Sequence, residues 1–213
     1  MFAFWRKAYD RTAALETAEK ARARGRIRKA VKWYRKVLAN EPADAAVLAK
    51  IAPLYARLRR WDESKAAFEM AADNFLARGF APKAIAVWTV AAQTFPERVE
   101  FWERIANQQV MSGRKADAVR ALLDGRAQLR RRRQRPLAVL LLRQALELEP
   151  GRVEETLDLA DLLRREGIKD EARRLLATAL LRVGRGRMRR RVRFAQLRID
   201  PSLRGTLAWA LAR

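Results

Sequence analysis

Three prolines, Pro42, Pro96 and Pro150, stand 54 residues apart, and each closes a similar phrase. The phrases read Ala30–Trp33–Tyr34–Val37–Pro42, Ala84–Trp88–Ala91–Pro96 and Ala138–Leu142–Ala145–Pro150. Pro82 and Pro136 are also 54 apart, so the register holds outside the phrase that defines it. A fixed internal period of this size marks a stack of repeated units, each burying its apolar face only against its neighbours. Such a chain is built to present surface, and its function must be sought there.

Apolar residues recur at i, i+3, i+4 and i+7 nearly throughout, and no stretch alternates with period two, so the fold class is all-α. Breakers at Gly25, Pro42, Arg59–Arg60, Gly79, Pro96, Gly113, Arg133–Pro136, Pro150, Gly167 and Gly184–Gly186 separate helices of about four turns. About twelve are expected, near 3–24, 27–40, 44–58, 62–77, 81–95, 98–112, 115–131, 136–149, 152–166, 169–183, 187–199 and 202–212. The short connections make successive helices antiparallel. Asp44 and Asp62 are candidate N-caps. Pro82 and Pro136 fall in first turns, where a missing N–H costs nothing. Pro53 lies inside the third helix and is expected to kink it or delay its start.

These phrases resemble the tetratricopeptide repeat (TPR) family of helix-turn-helix units. Residues 11–44 match best, with Ala18, Gly25, Ala30, Tyr34 and Pro42 at the small, glycine, alanine, aromatic and proline positions. Residues 45–78 supply Ala52, Tyr55, Trp61, Phe68 and Ala71. Residues 99–132 supply Trp102, Ala106, Gly113, Ala118 and Leu122, and residues 153–186 supply Ala160, Gly167, Ala172, Leu176 and Ala179. The resemblance implies a right-handed-type α-solenoid of about twelve antiparallel helices. The expected division is an N-terminal extension or capping segment over 1–10, a TPR-like solenoid over 11–200 with an Arg-rich segment at 182–198, and a C-terminal capping helix over 201–213. The period is 54 where tandem TPR units would give 34. The repeat is therefore three helices long, with the 62–77 and 115–131 helices each serving two units.

Composition narrows the chemistry. The 213 residues include no cysteine and no histidine, which removes disulfides, thiolate ligands, cysteine nucleophiles and the usual general base near neutral pH. No apolar run is long enough for a membrane helix, the N-terminus has no secretory h-region, and a cytoplasmic location is expected. Glu154, Asp158 and Asp161 share one helix face, a geometry open to metal binding, but Arg164 and Arg165 follow one turn later and an ion-paired face is expected instead. No phosphate loop, nucleophile–base pair or carboxylate dyad is recognisable. The expectation is no enzyme, no cofactor and no metal. The tryptophans Trp33, Trp61, Trp88 and Trp102 fall at or beside bulky repeat positions and are expected in the packing. Trp5 and Trp209 are expected to cap the ends.

The charge is the informative part. The net charge is +23, mostly arginine, and it implies an attraction for polyanions. If turns alternate between two edges, one edge collects Arg24, Arg26, Arg28, Arg57, Arg59, Arg60, Arg130, Arg131, Arg132, Arg133 and Arg135. A basic C-terminal patch holds Arg185, Arg187, Arg189, Arg190, Arg191 and Arg193, with no acid between Glu171 and Asp200. A candidate groove, placed by analogy with the first helices of TPR units, would expose Lys50, Glu103, Asn107, Met111, Asp161 and Arg164. The favoured function is a non-catalytic interaction scaffold or adaptor whose basic edge binds an acidic protein or peptide. A phosphate-tracking nucleic-acid binder is the alternative, and association with an anionic membrane surface a second one.

Overall fold

The computed structural model describes residues 9–201 and 203–211. Two compact units meet in sequence at the proline of the second phrase: unit 1 ends at Phe95 and unit 2 begins at Pro96. Unit 1 holds α1 (Arg11–Ala23), α2 (Ile27–Leu38), α3 (Ala45–Arg57), α4 (Trp61–Ala77) and α5 (Ala81–Thr94). Unit 2 holds α6 (Val99–Met111), α7 (Lys115–Gln128), α8 (Arg135–Leu148), α9 (Val153–Arg165), α10 (Lys169–Arg182), α11 (Arg187–Ile199) and α12 (Leu203–Ala210). A single 3₁₀ turn, Arg132–Gln134, precedes α8. The fold is all-α, helix following helix as in an α-solenoid.

The 54-residue period governs the backbone itself. Helices start at Ala45, Val99 and Val153, at Trp61, Lys115 and Lys169, and at Ile27, Ala81 and Arg135. Within each triplet the first helix packs on both its successors: α3 on α4 and α5, α6 on α7 and α8, α9 on α10 and α11. The middle helices α4 and α7 are the ones expected to serve two repeats. Alanine recurs at a fully buried position of the register. Ala30, Ala84 and Ala138 have no exposed surface, and neither does Val192 at the next register position. Tyr34, Trp88 and Leu142 fill the space one turn on.

Five of the tight turns between helices close alike. After α1, α3, α4, α6 and α9 one residue takes positive φ: Gly25, Arg59, Gly79, Gly113 and Gly167. The next amide then bonds back to the carbonyl five residues earlier, as in Arg26 to Ala21, Arg60 to Tyr55 and Ile168 to Leu163. Arg59 is the one non-glycine residue in this conformation among the described residues.

Several local expectations are corrected. The first helix begins at Arg11, not near residue 3. Asp10 caps it by accepting from the Ala13 amide at 3.0 Å, and residues 1–8, with Trp5, lie outside the described residues. Asp44 caps α3 as expected, but the cap of α4 is Arg60, and Asp62 sits in its first turn. Pro53 lies within α3 and does not delay it, because the N-terminal register is held by Asp44. Trp88 and Trp102 are buried, whereas Trp61 is 51% exposed and Trp33 half-buried.

Ion pairs tie turns that share an edge. In unit 1, Arg11 at the start of α1 meets Glu41 at 2.9 Å and Asp44 at 2.5 Å in the α2–α3 turn. In unit 2, Arg133 before α8 meets Glu97 before α6 at 3.0 Å, and Arg135 reaches Glu166 after α9 at 3.2 Å. Arg173 near the start of α10 meets Asp200 after α11. Alternate turns therefore lie together, as antiparallel helices require.

Candidate binding site

Unit 2 contains a concavity of about 490 Å³ between α9, α10, α11 and α12. Its floor is apolar, with Leu157, Ala160, Leu176, Ala195 and Ile199. Phe194 and Trp209 form one wall, their rings 5.8 Å apart, and Phe194 is 46% exposed. Arg164, Arg187, Arg190, Arg191 and Arg198 ring the opening.

The helical period builds this wall. Arg187, Arg190, Arg191, Phe194 and Arg198 follow at steps of three and four along α11, so they share one face. Gly186, at φ 119°, starts the helix in that orientation. Val192 is fully buried on another side of the helix.

The charges around the opening are unevenly matched. Asp161 is met by Arg164 at 2.9 Å, Arg165 at 2.6 Å and Arg198 at 3.2 Å. Partial burial alone would raise its carboxyl pKa, but the three guanidinium groups outweigh it and hold the pKa low. Arg191 pairs with Glu154. Arg190 lies over the Trp209 ring at 4.8 Å, and neither Arg187 nor Arg190 has a described carboxylate partner. The site is thus an apolar, aromatic-walled groove with two uncompensated guanidinium groups at its mouth. It suits a ligand that is anionic outside and apolar inside. Asp161 and Glu154 are already committed to arginines, and Asp158 to Arg126 at 2.8 Å. The acidic face of α9 is an ion-paired face.

The candidate residues from the sequence fall into three groups. Asp161 and Arg164 are brought together with Arg187, Arg190 and Arg191 in this groove. Arg189 instead closes the end of α10, donating to the carbonyls of Leu180 and Val183, and Arg193 donates to Gln196. Arg185 lies exposed in the preceding turn. In unit 2, Glu103 accepts from Gln144 at 2.6 Å, while Asn107 and Met111 are exposed. Lys50, in unit 1, is taken by Glu19 at 2.7 Å.

The run Arg130–Arg133 finds much of its compensation within the chain. Arg130 donates to the Ala127 carbonyl, and the Arg131 amide donates to the buried Gln134 side chain. Gln134 and Arg133 both donate to Glu97, and these bonds hold its pKa low. Arg132 has no described carboxylate partner. In unit 1, Arg24, Arg26, Arg28, Arg57 and Arg59 have none either, while Arg60 pairs with Glu63 and lies over the Tyr55 ring at 4.7 Å.

Sequence reasoning missed Phe194 and Trp209 as a pair. The signal was the spacing of Phe194 within the arginine run, one turn beyond Arg190. Trp209 is separated from it by a helix break, and only packing of α12 on α11 joins them.

No family model and no curated protein matches the chain. Among solved structures it is similar to nearly identical TPR-like repeats from Podosopora anserina, at 19% identity and TM-score 0.40, covering 90% of this chain and 97% of that one. It is similar to PilF of Pseudomonas aeruginosa at 17% identity and TM-score 0.28, over 94% and 87% of the two chains. A thermophilic TPR protein of Thermus thermophilus is 17% identical at TM-score 0.28, over 95% and 98%.

Proposed function

We propose that this chain is a non-catalytic interaction scaffold whose groove in unit 2 holds an acidic segment of a partner protein. Arg187 and Arg190, without carboxylates of their own at the mouth of an apolar floor, are the observation that supports this reading. An apolar side chain of the partner would sit on Leu157, Leu176 and Phe194, and flanking carboxylates would meet the guanidinium groups. Arginine and exposed aromatic residues are the types that dominate binding energy at such sites. Complementary charge would chiefly set specificity and the rate of encounter.

The test is titration of the full chain with labelled short acidic peptides carrying one central leucine or tryptophan. Phe194→Ala should weaken binding roughly 5- to 30-fold, the size of a hot-spot loss. The double variant Arg187→Glu, Arg190→Glu should abolish it and remove most of its salt dependence. Peptide binding that is unchanged in both variants would sink the reading.

A further inference from the structure

From Lys20 to Asn40 the chain holds nine lysines and arginines and no carboxylate. Lys20 and Arg22 pair with Glu16 and Glu19 on α1. The other seven, Arg24, Arg26, Arg28, Lys29, Lys32, Arg35 and Lys36, make no ion pair with any described residue. In unit 2 comparable surface arginines do: Arg126 meets Asp158 at 2.8 Å, Arg135 meets Glu166 at 3.2 Å and Arg143 meets Glu171 at 2.7 Å. An uncompensated run along one short helix carries a repulsive cost that an anionic ligand would remove.

The run is also shaped. Arg28, Lys32, Arg35 and Lys36 line one side of a groove of about 520 Å³, which Arg60 and Leu58 of the α3–α4 turn close on the other. Trp33 lies in the same groove, half-buried, with the Lys36 ammonium 5.1 Å from its ring centre. Within the groove only Arg60 forms a described ion pair, with Glu63, whose charge Arg35 also feels. Arg28, Lys32 and Arg35–Lys36 succeed one another by about one helical turn, roughly 5.4 Å. Cations at such intervals beside a partly exposed indole form the arrangement that tracks a sugar–phosphate backbone and stacks a base. A flat anionic membrane would need the aromatic group to protrude, and Trp33 is recessed. An acidic peptide would need apolar anchorage, and the groove offers only Val31 and Leu58 besides the indole.

We propose that this α2 groove binds single-stranded nucleic acid without sequence preference, with phosphates along Arg28, Lys32, Arg35 and Lys36 and a base on Trp33. The proposal is independent of the groove in unit 2.

The experiment is fluorescence anisotropy of a labelled oligothymidylate of about 15 nucleotides with the full chain. Salt is varied between about 50 and 200 mM. Wild-type affinity should fall steeply with salt. The triple variant Lys32→Gln, Arg35→Gln, Lys36→Gln should flatten the slope of log K against log salt by about 2, since each single-strand phosphate contact contributes about 0.7. Trp33→Leu should weaken binding about 5- to 150-fold at unchanged slope, and Trp33→Phe should restore much of it. The charge-matched triple Arg114→Gln, Lys115→Gln, Arg174→Gln, at exposed positions outside both grooves, should leave binding within about threefold of wild type, well short of a full contact's contribution. All these substitutions lie at exposed or half-buried positions, and thermal melts check that each variant folds. Equal loss in the two triple variants would mean diffuse attraction by net charge and would overturn the proposal. So would an unaffected Trp33→Leu, or α2-dependent capture of phosphatidylserine vesicles or polyglutamate with no capture of the oligonucleotide.

Discussion

At the scale of single residues the repeat adjusts volume against volume. A Cβ on Gly125 in α7 would sit 2.7 Å from Cγ of Trp102 and 2.9 Å from Cδ1 of Leu141. At the same register the other two triplets place Ala71 and Ala179, opposite Leu48 and Thr156 in place of Trp102. The larger ring of the middle triplet is accommodated by deleting one methyl group. Gly125→Ala should therefore destabilise unit 2 by about 1–2 kcal/mol, because overpacking outweighs the roughly 1 kcal/mol that alanine gains in helix propensity. In a Trp102→Leu background the same change should be neutral or stabilising. Thermal or denaturant melts of the four-member cycle read this directly. Neither residue's role is visible in a single repeat phrase. It emerges when the three copies are laid in register and the structure shows which positions touch.

At the scale of helices, Glu19 gathers three elements of unit 1. Its carboxylate accepts from Tyr34 of α2 at 2.7 Å and from Arg22 of α1 at 2.7 Å, and it pairs with Lys50 of α3 at 2.7 Å. Partial burial would raise its pKa, but the hydrogen bonds from Lys50, Tyr34 and Arg22 prevail and lower it from 4.5 to about 2. Burial of the phenol, together with the same carboxylate, pushes Tyr34 well up. A carboxyl depressed on folding contributes stability above its unfolded pKa and loses it as pH falls through the folded value. Wild-type stability should therefore drop between about pH 4.5 and pH 2, and Glu19→Gln should show a shallower drop there while being less stable at neutral pH. Melting temperature against pH for both proteins checks it, and parallel curves would refute it. Helix existence and, after the first helix, start positions were legible beforehand, since periodicity, Asp44, Pro82 and Pro136 are local signals. Lys50 is a different case. Reading along the chain placed it on a binding surface, whereas packing of α2 on both α1 and α3 brings it to Glu19.

At the scale of the whole molecule the charge of +23 opposes compaction. Most ion pairs are solvent-exposed, and such pairs contribute only a few tenths of a kcal/mol to about 1 kcal/mol each. Screening lengths shorten to about 10 Å at 0.1 M salt. Added salt should thus relieve more repulsion than it removes attraction, and the melting temperature should rise between low and moderate sodium chloride. A fall would mean that ties such as Arg135–Glu166 and Arg173–Asp200 dominate stability. No helix among the described residues is long and apolar enough to cross a membrane.

What the sequence determined by itself is the helical class, the triplet period and the position of nearly every turn. These follow from signals within a few residues of one another: apolar spacing, prolines in first turns and glycines free to take positive φ. It also located the charge, because charge is additive along a chain. What only the tertiary structure decided is which of those charges remain available. Arg133 and Arg135 are met by Glu97 and Glu166, more than 30 residues away in each case, whereas the cations of α2 and Arg187 and Arg190 of α11 meet no described carboxylate. Likewise, the aromatic wall of the unit 2 groove needs Trp209 folded back beside Phe194, and the α2 groove needs Arg60 beside Trp33. An arginine in sequence is only a cation. Whether it is a tie within the fold or a contact for a ligand depends on which carboxylate the packing of distant helices brings within reach.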